Sequence, residues 1–447
     1  MKKWIYIFLA LICCILRLPL LVSTPPLKMY LLKKIGDRFD STISASKVHL
    51  SWTGPQIISG VVISSPNFDG KIEQFQSPVP FWSLNSMGSE FSLQGAQFHT
   101  QQPEASLTNV SANITPKQIQ ATGAAQIENK QGSFLLNGNQ TEEGMDLAFS
   151  AKQIPTLFFD HLFHAKGMIQ ASLGDFFDCN ATANIFNESG TYTFSVLAQR
   201  GHIQASGAFT AENITLTEPL IATLQLTPEL SAALLKDANP LFLTGISSKE
   251  PIKLIISNKR FLLERPFTLE KLRIGQGVLE LGQTKIQNGP SLIALVKLLK
   301  NQRVANLKEM NAWFTPLEFS IESSIFKSGR MDFLLADSIH LCTWGHINLA
   351  NDHLDMMIGI PANVLSSVFH IQNLPSNFML KIPVKGTTNA PEIETGAASA
   401  KIAALLASQT IPKKAGPLGK AFTILTPPVT DDSRDVPPAK RPFPWEK

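Results

Sequence analysis

Apolar and polar residues alternate along most of the chain after residue 41. Tyr192, Phe194 and Val196 are separated by threonine and serine, and the pattern recurs at Phe319 and Ile321. Because successive side chains of a strand point to opposite faces, this alternation predicts antiparallel strands with one apolar and one polar face. The predicted fold class is mainly β: an elongated, twisted antiparallel sheet, as a β-groove or open sandwich, with a few short helices and one N-terminal transmembrane helix.

Helical periodicity is confined to a few short segments. Apolar residues recur every four positions within residues 25–40, which predicts a short amphipathic helix there. First-turn prolines predict further short helices that begin near Pro228 and Pro290. An alanine-rich stretch predicts a terminal helix over about Glu394–Gln409.

The first 24 residues carry the clearest targeting signal. Lys2 and Lys3 precede an apolar run that reaches Val22 and is interrupted by Arg17 near its far end. The run approaches the ~20 residues that span a bilayer, and it lacks the small residues of a good signal-peptidase site. We therefore predict an uncleaved single-pass signal-anchor over residues 1–24, with the bulk of the chain outside the cytoplasm. A cleaved signal peptide is the alternative.

Composition narrows the classes of function. Hydrophobic residues make up 44% of the chain, which is enough for a core, and charged residues only 17%. The formal net charge of +4 is small and spread out, so no nucleic-acid partner is expected. Prolines accumulate in residues 411–447, which predicts a Pro-rich disordered tail.

The residues able to do chemistry form no convincing site. His340 and Cys342 would share a face of one strand, but with His346 and His353 their spacing matches no standard zinc pattern. The chain has no G-x-S-x-G, H-E-x-x-H or phosphate-binding glycine loop. We therefore predict no catalytic residue, metal or cofactor, and a protein that is not an enzyme. Pairing of Cys179 with Cys342 in a disulfide stays open.

The apolar stripe of the strands has two interpretations. It could be the inside of a closed β-sandwich, as in a scaffold or adhesin-like module without a ligand. It could instead be an open apolar groove that holds acyl chains, each buried CH₂ contributing about 0.8 kcal/mol. The pattern alone favours neither. The candidate lipid-groove residues are Tyr192, Phe194, Val196, Phe319 and Ile321.

Three segments carry a family resemblance. Ile43–Pro66 contains a "V-x-L-x-W" strand that leads to a "GV-x-I" strand, and Gly329–Pro361 contains a Gly-initiated strand followed by one with "LD". Leu380–Ile393 reads "LKIPVKGTTNAPEI" and precedes the alanine-rich helix. With the N-terminal anchor and short helix, these segments resemble the AsmA-like family of bacterial envelope proteins. The resemblance covers the two ends of the chain.

The resemblance implies a bacterial inner-membrane protein whose body lies in the periplasm as a twisted β-groove. Its implied role is outer-membrane biogenesis or lipid transport between membranes. The implied partners are the inner membrane, phospholipid or another acyl-chain lipid, and an envelope protein, because this chain is shorter than the largest family members. On this plan residues 41–315 form a β-rich extracytoplasmic body and residues 316–410 an AsmA-like C-terminal region.

Overall fold

The computed structural model describes residues 23–37, 40–65, 68–80, 83, 90–101, 104–142, 144–162, 167–234, 246–287, 289–300, 302–372, 374–410 and 436–446. The chain is mainly β, as predicted, with a few short helices. Its contacts group it into two compact units, Met1–Gln199 and Arg200–Lys447. The boundary between them falls inside the segment that the sequence predicts as one β-rich body.

The predicted signal-anchor over residues 1–24 lies outside the described residues except for its last two. Within the described ranges, no helix is long and apolar enough to span a bilayer. Helix α1, Pro25–Gly36, occupies the place of the predicted amphipathic helix and ends earlier than residue 40. The Lys28 ammonium of α1 donates to the Ala45 carbonyl oxygen at 2.8 Å, which ties the helix to the first strand.

Unit 1 is an antiparallel meander in which each strand pairs with the next one along the chain. Period-two alternation with short turns favours this arrangement, because neighbours in sequence can pair without crossovers. Its strands are β1 Thr42–His49, β2 Gln56–Ser64, β3 Phe68–Ser77, β4 Phe91–Gln101, β5 Glu104–Ile114, β6 Gln118–Ile127, β7 Lys130–Thr141, β8 Gly144–Pro155, β9 Phe176–Phe186 and β10 Ser189–Ala198.

A small helical hairpin interrupts the meander between β8 and β9. It consists of α2, Thr156–Leu162, and α3, Met168–Leu173. The buried Asp160 carboxylate accepts hydrogen bonds from the backbone N–H groups of Ile169 at 2.9 Å and Gln170 at 2.7 Å. These are donors that the first turn of a helix leaves unpaired, so Asp160 fixes α3 against α2.

In unit 2, unlike unit 1, some paired strands are not neighbours along the chain. Strand β21 pairs with β19, β20 and β22, and β17 pairs with β15, β16 and β20, always antiparallel. The strands are β11 Gly201–Phe209, β12 Asn213–Leu216, β13 Leu220–Leu224, β14 Ile246–Ser248, β15 Ile252–Ile256, β16 Leu262–Glu264, β17 Leu272–Glu280, β18 Gln283–Gln287, β19 Glu309–Phe314, β20 Leu317–Glu322, β21 Ile325–Leu335, β22 Ile339–Asn348, β23 His353–Pro361, β24 Met379–Thr387 and β25 Ala390–Ile393.

The described residues of unit 2 include five α-helices, and those predicted from prolines and alanines are confirmed. They are α4 Pro228–Leu234, α5 Pro290–Leu298, α6 Gln302–Ala305, α7 Ala362–Phe369 and α8 Thr395–Thr410. This unit has a closed core, since the largest fully buried side chains that the structure describes all lie in it. They are Leu226, Leu230, Ile246, Leu292, Leu295, Leu299, Leu317, Met331, Phe333, Leu335 and Phe443.

The end of the chain differs from the disordered tail that its proline content predicts. Residues 411–435 lie outside the described residues, but residues 436–446 pack on unit 2. Phe443 is only 2% exposed and forms part of the core. The expectation of disorder is therefore wrong for residues 436–446, because aromatic side chains between the prolines supply apolar area to bury.

Candidate functional site

One residue from each strand of unit 1 lies in a single line across the sheet. Each is directly opposite the next in the strand register, and directly opposite residues share a face. We call this line the apolar row, because all ten members are apolar. They are Val48, Ile58, Phe75, Leu93, Ala112, Ala121, Leu136, Phe149, Ala181 and Phe194.

The apolar row is not covered by the part of the chain that the structure describes. All ten side chains are partly exposed, and none is buried. In unit 2, by contrast, Met331 and Leu335 are fully buried. Close packing normally hides such residues from water. The face that carries the row is therefore available to an apolar ligand.

Further apolar residues widen this face on both sides of the row. On one side a parallel line crosses seven strands, through Phe91, Ile114, Ile119, Gly138, Leu147, Ala183 and Tyr192. On the other side a line runs through Phe134, Ala151, Cys179 and Val196. The rings of Tyr192 and Phe194 stack with their centroids 6.4 Å apart, so neighbouring lines are in contact.

The opposite face of the same sheet carries a mostly polar line of residues beneath the apolar row. Thr182 and Thr193 share a hydrogen bond of 2.7 Å between their hydroxyls, and their line contains no Asp, Glu, Lys or Arg. Its members are His49, Ile57, Gln76, Ser92, Asn113, Gln120, Asn137, Ala148, Thr182 and Thr193. Water solvates this face, so the two faces of unit 1 differ sharply in polarity.

One end of the apolar face is closed by the helical hairpin. Along β6, Ile119 and Ala121 are partly exposed, whereas Ala125 is 3% and Ile127 2% exposed. Helix α2 contacts β6 at this end. Burial therefore rises along the strand towards the helices, and the other end of the face stays accessible.

The predicted lipid-groove residues fall into two groups. Three lie together on β10 of unit 1, on the face of the apolar row and partly exposed: Tyr192, Phe194 and Val196. Two lie on β20 of unit 2 and are also partly exposed: Phe319 and Ile321. Phe319 stacks on Phe326 of β21 with ring centroids 5.1 Å apart. The groups belong to different units, and only the first lies on the face of the apolar row, with Phe194 in the row itself.

Of the ten members of the apolar row, only Phe194 is among the residues predicted from the sequence. Phe75, Leu136 and Phe149 have an alternation signal of their own, but Ala112 and Ala181 do not stand out in any pattern. Only the strand register joins them.

Unit 2 contains a buried ion network of Arg330, Asp332 and His340. The Arg330 guanidinium donates to both carboxylate oxygens of Asp332, at 2.7 and 2.8 Å, and His340 Nε2 lies 2.9 Å from Asp332 Oδ1. Burial alone would raise the pKa of Asp332, but the hydrogen bonds from His340 and Arg330 and the Arg330 charge outweigh it, so this pKa is lowered. This geometry stabilises the ionised carboxylate of Asp332.

The other candidate ligands do not join this network. His346 and His353 are exposed, and no group of three His, Cys, Asp or Glu within the described ranges could hold a metal ion. Cys179 and Cys342 are both free thiols. Burial raises the pKa of Cys342 to about 12, so at neutral pH it is a protonated core residue.

No protein-family profile, curated protein or solved structure matches this chain. Its function therefore has to be inferred from the geometry of the apolar face.

Proposed function

We propose that this chain is a membrane-anchored periplasmic protein of AsmA type, without enzymatic activity, that holds lipid acyl chains on the apolar face of unit 1. The apolar row carries this proposal: ten apolar residues, one from each strand, all partly exposed. Apolar surface in water costs roughly 25 cal/mol per Å², and a bound acyl chain would remove that cost. The ligand class is therefore phospholipid or another acyl-chain lipid.

The length of the row suits such a ligand. Neighbouring strands lie about 4.8 Å apart, so nine intervals give a row of roughly 43 Å. One leaflet of a bilayer has about 15 Å of hydrocarbon, half of the ~30 Å core. The row could thus hold two or three acyl chains end to end. Handling lipids in this way would assist outer-membrane or envelope biogenesis, with an envelope protein as partner.

The sequence supports placement in the inner membrane. The apolar run to Val22 follows Lys2 and Lys3, and the chain resembles an envelope family at both ends. We expect the protein to stay in the membrane fraction after carbonate washing and to keep residues 1–22 by intact mass. A mature chain that starts near Ser23 or Pro25 would contradict the anchor.

The closed core of unit 2 favours a second candidate. Met331 and Leu335 are fully buried there, as in a domain that needs no ligand. A non-enzymatic envelope scaffold or adhesin-like module would have such a core throughout. The two candidates differ in what unit 1 does with its apolar face.

Native mass spectrometry of the full-length protein, extracted in mild detergent, tests the proposal. We expect phospholipid to co-purify in a defined ratio and to be taken up again from vesicles after delipidation. A delipidated, folded protein that takes up no phospholipid would favour the scaffold.

A further inference from the structure

The C-terminal segment Val436–Glu446, here called the tail segment, is held to unit 2 by polar contacts at two points. Arg330 Nη1 donates to the Pro437 carbonyl oxygen at 3.2 Å, and Lys440 forms an ion pair with Glu318. The other donors of Arg330 are fixed on Asp332. Asp332 therefore orients the guanidinium so that Nη1 faces the tail segment.

Apolar contacts hold the tail segment at its two ends. Phe443 is 2% exposed, and the His340 ring lies edge-on to Phe443 at 4.9 Å and to Trp445 at 5.4 Å between centroids. At the other end Val436 packs against a buried cluster that contains Trp344. The surface under the tail segment thus combines an aromatic socket, an oriented cation and an acid. We call this surface the tail site.

The tail segment is built like a peptide ligand. It joins no strand of the sheet, and its only regular element is a 3₁₀ turn, Pro444–Glu446. The Glu446 N–H donates to the Phe443 carbonyl oxygen at 3.0 Å, and the Glu446 carboxylate accepts from the Phe443 N–H at 2.9 Å. Prolines lack the backbone N–H that would otherwise need a partner, and they reduce the entropy lost on docking. They occupy positions 437, 438, 442 and 444.

The tail segment is also separated from the rest of unit 2 along the chain. Helix α8 ends at Thr410, and 25 residues, 411–435, precede Val436. Side chains and one carbonyl group, not sheet pairing, make the contacts. Contacts of this kind can also form between two separate molecules.

We infer that the tail site is a recognition site for a proline-rich peptide in which a basic residue precedes two aromatic residues, and that residues 436–446 are its intramolecular ligand. A free peptide of this chemistry competes with the tail segment for the site. Specificity comes from Glu318 for the basic residue and from the socket beside His340 for the aromatic pair.

The first test removes both aromatic side chains of the tail segment from the tail site, through Phe443→Ala with Trp445→Ala in the full-length chain. We call this variant the vacated chain. A fluorescent peptide of residues 434–447 should bind this folded variant saturably. It should bind the unaltered chain about tenfold or more weakly, because the tethered segment competes at high effective concentration. The same peptide with both aromatic residues changed to alanine should not bind. Equal binding of the two peptides would overturn the inference.

A charge swap separates recognition from damage to the fold. Glu318 is 45% exposed at its side chain, so Glu318→Lys should leave the fold intact. In the vacated chain this change should weaken peptide binding about fivefold, and a peptide with Lys440→Glu should restore it. Absence of that rescue would refute the assigned contact.

A second route avoids the aromatic substitutions. A specific protease site inserted between residues 426 and 430 allows the tail to be cut from the otherwise unaltered protein. We expect the cut tail to co-elute with the protein on gel filtration and to be displaced by excess labelled peptide. A cut tail that cannot be exchanged, or that leaves and does not rebind, would show that it is an integral core element.

Discussion

Leu136 on β7 and Phe149 on β8 face each other directly in the apolar row, and both remain partly exposed. Their neighbours in the row are the small residues Ala121 and Ala181. The pair therefore forms the bulkiest part of the row on these strands, with shallower positions on either side. A ligand on the apolar face would contact this pair.

Phe149→Asp should abolish lipid binding without unfolding the protein. On an open face the new carboxylate stays hydrated, so we expect a stability change below about 1 kcal/mol and at least a tenfold loss of bound phospholipid. Ala148→Asp, on the opposite face of the same strand, is the matched control and should keep its lipid. Thermal unfolding and lipid content are measured on the same samples. If Phe149→Asp unfolds the protein, a buried charge and hence a closed core would be indicated.

Phe443→Ala should destabilise unit 2 by about 3 kcal/mol, since it removes a fully buried aromatic ring. Pro438→Ala, at an exposed position of the same segment, should change stability by less than about 0.5 kcal/mol. Urea unfolding followed by Trp fluorescence measures both. Identical midpoints for the two variants would mean that the tail segment contributes nothing to folding.

Acid should weaken unit 2 through Asp332. Because the folded-state pKa of Asp332 is lowered, the ion network stabilises the fold above the unfolded-state pKa of about 3.9, and this contribution is lost as pH falls through the folded-state value. Asp332→Asn should therefore cost most at pH 7 and progressively less below about pH 4. Urea midpoints from pH 2.5 to 7 test this, with the exposed Asp337→Asn as control. A cost for Asp332→Asn that does not change with pH would contradict it.

Cys342 should resist alkylation in the folded protein. Its pKa of about 12 leaves roughly one thiol in 10⁴ ionised at pH 8, and its side chain is fully buried. Cys179 is partly exposed and should react first with iodoacetamide. Peptide mapping of native and urea-treated samples gives both rates. Equal native rates would show that Cys342 is accessible.

Local patterns predicted the elements of this fold well. Alternation marked β10 and β20, and prolines at the first turn marked α4 and α5, because these signals depend on residues close in sequence. The apolar row could not be found in the same way. Phe194 and Val48 belong to one line only through nine successive strand registers, which the turns and bulges decide together.

The tail segment shows a different limit of prediction from sequence. Its prolines and charges are typical of disorder, and two aromatic residues did not outweigh them in the composition. Phe443 is buried because unit 2 offers the His340 ring and an oriented Arg330, both far away along the chain. A short segment can be ordered by a surface that its own sequence does not encode.

Because all ten members of the apolar row are apolar, the row also affects how a bound lipid would move along it. An acyl chain shifted along the row by one strand, about 4.8 Å, exchanges one apolar side chain for the next. No polar position interrupts the ten, so no step requires a methylene group to enter water or a polar group to lose its hydration. Bound lipid would thus meet only low barriers to sliding across the strands, and a sheet without moving parts could serve as a track for one-dimensional diffusion.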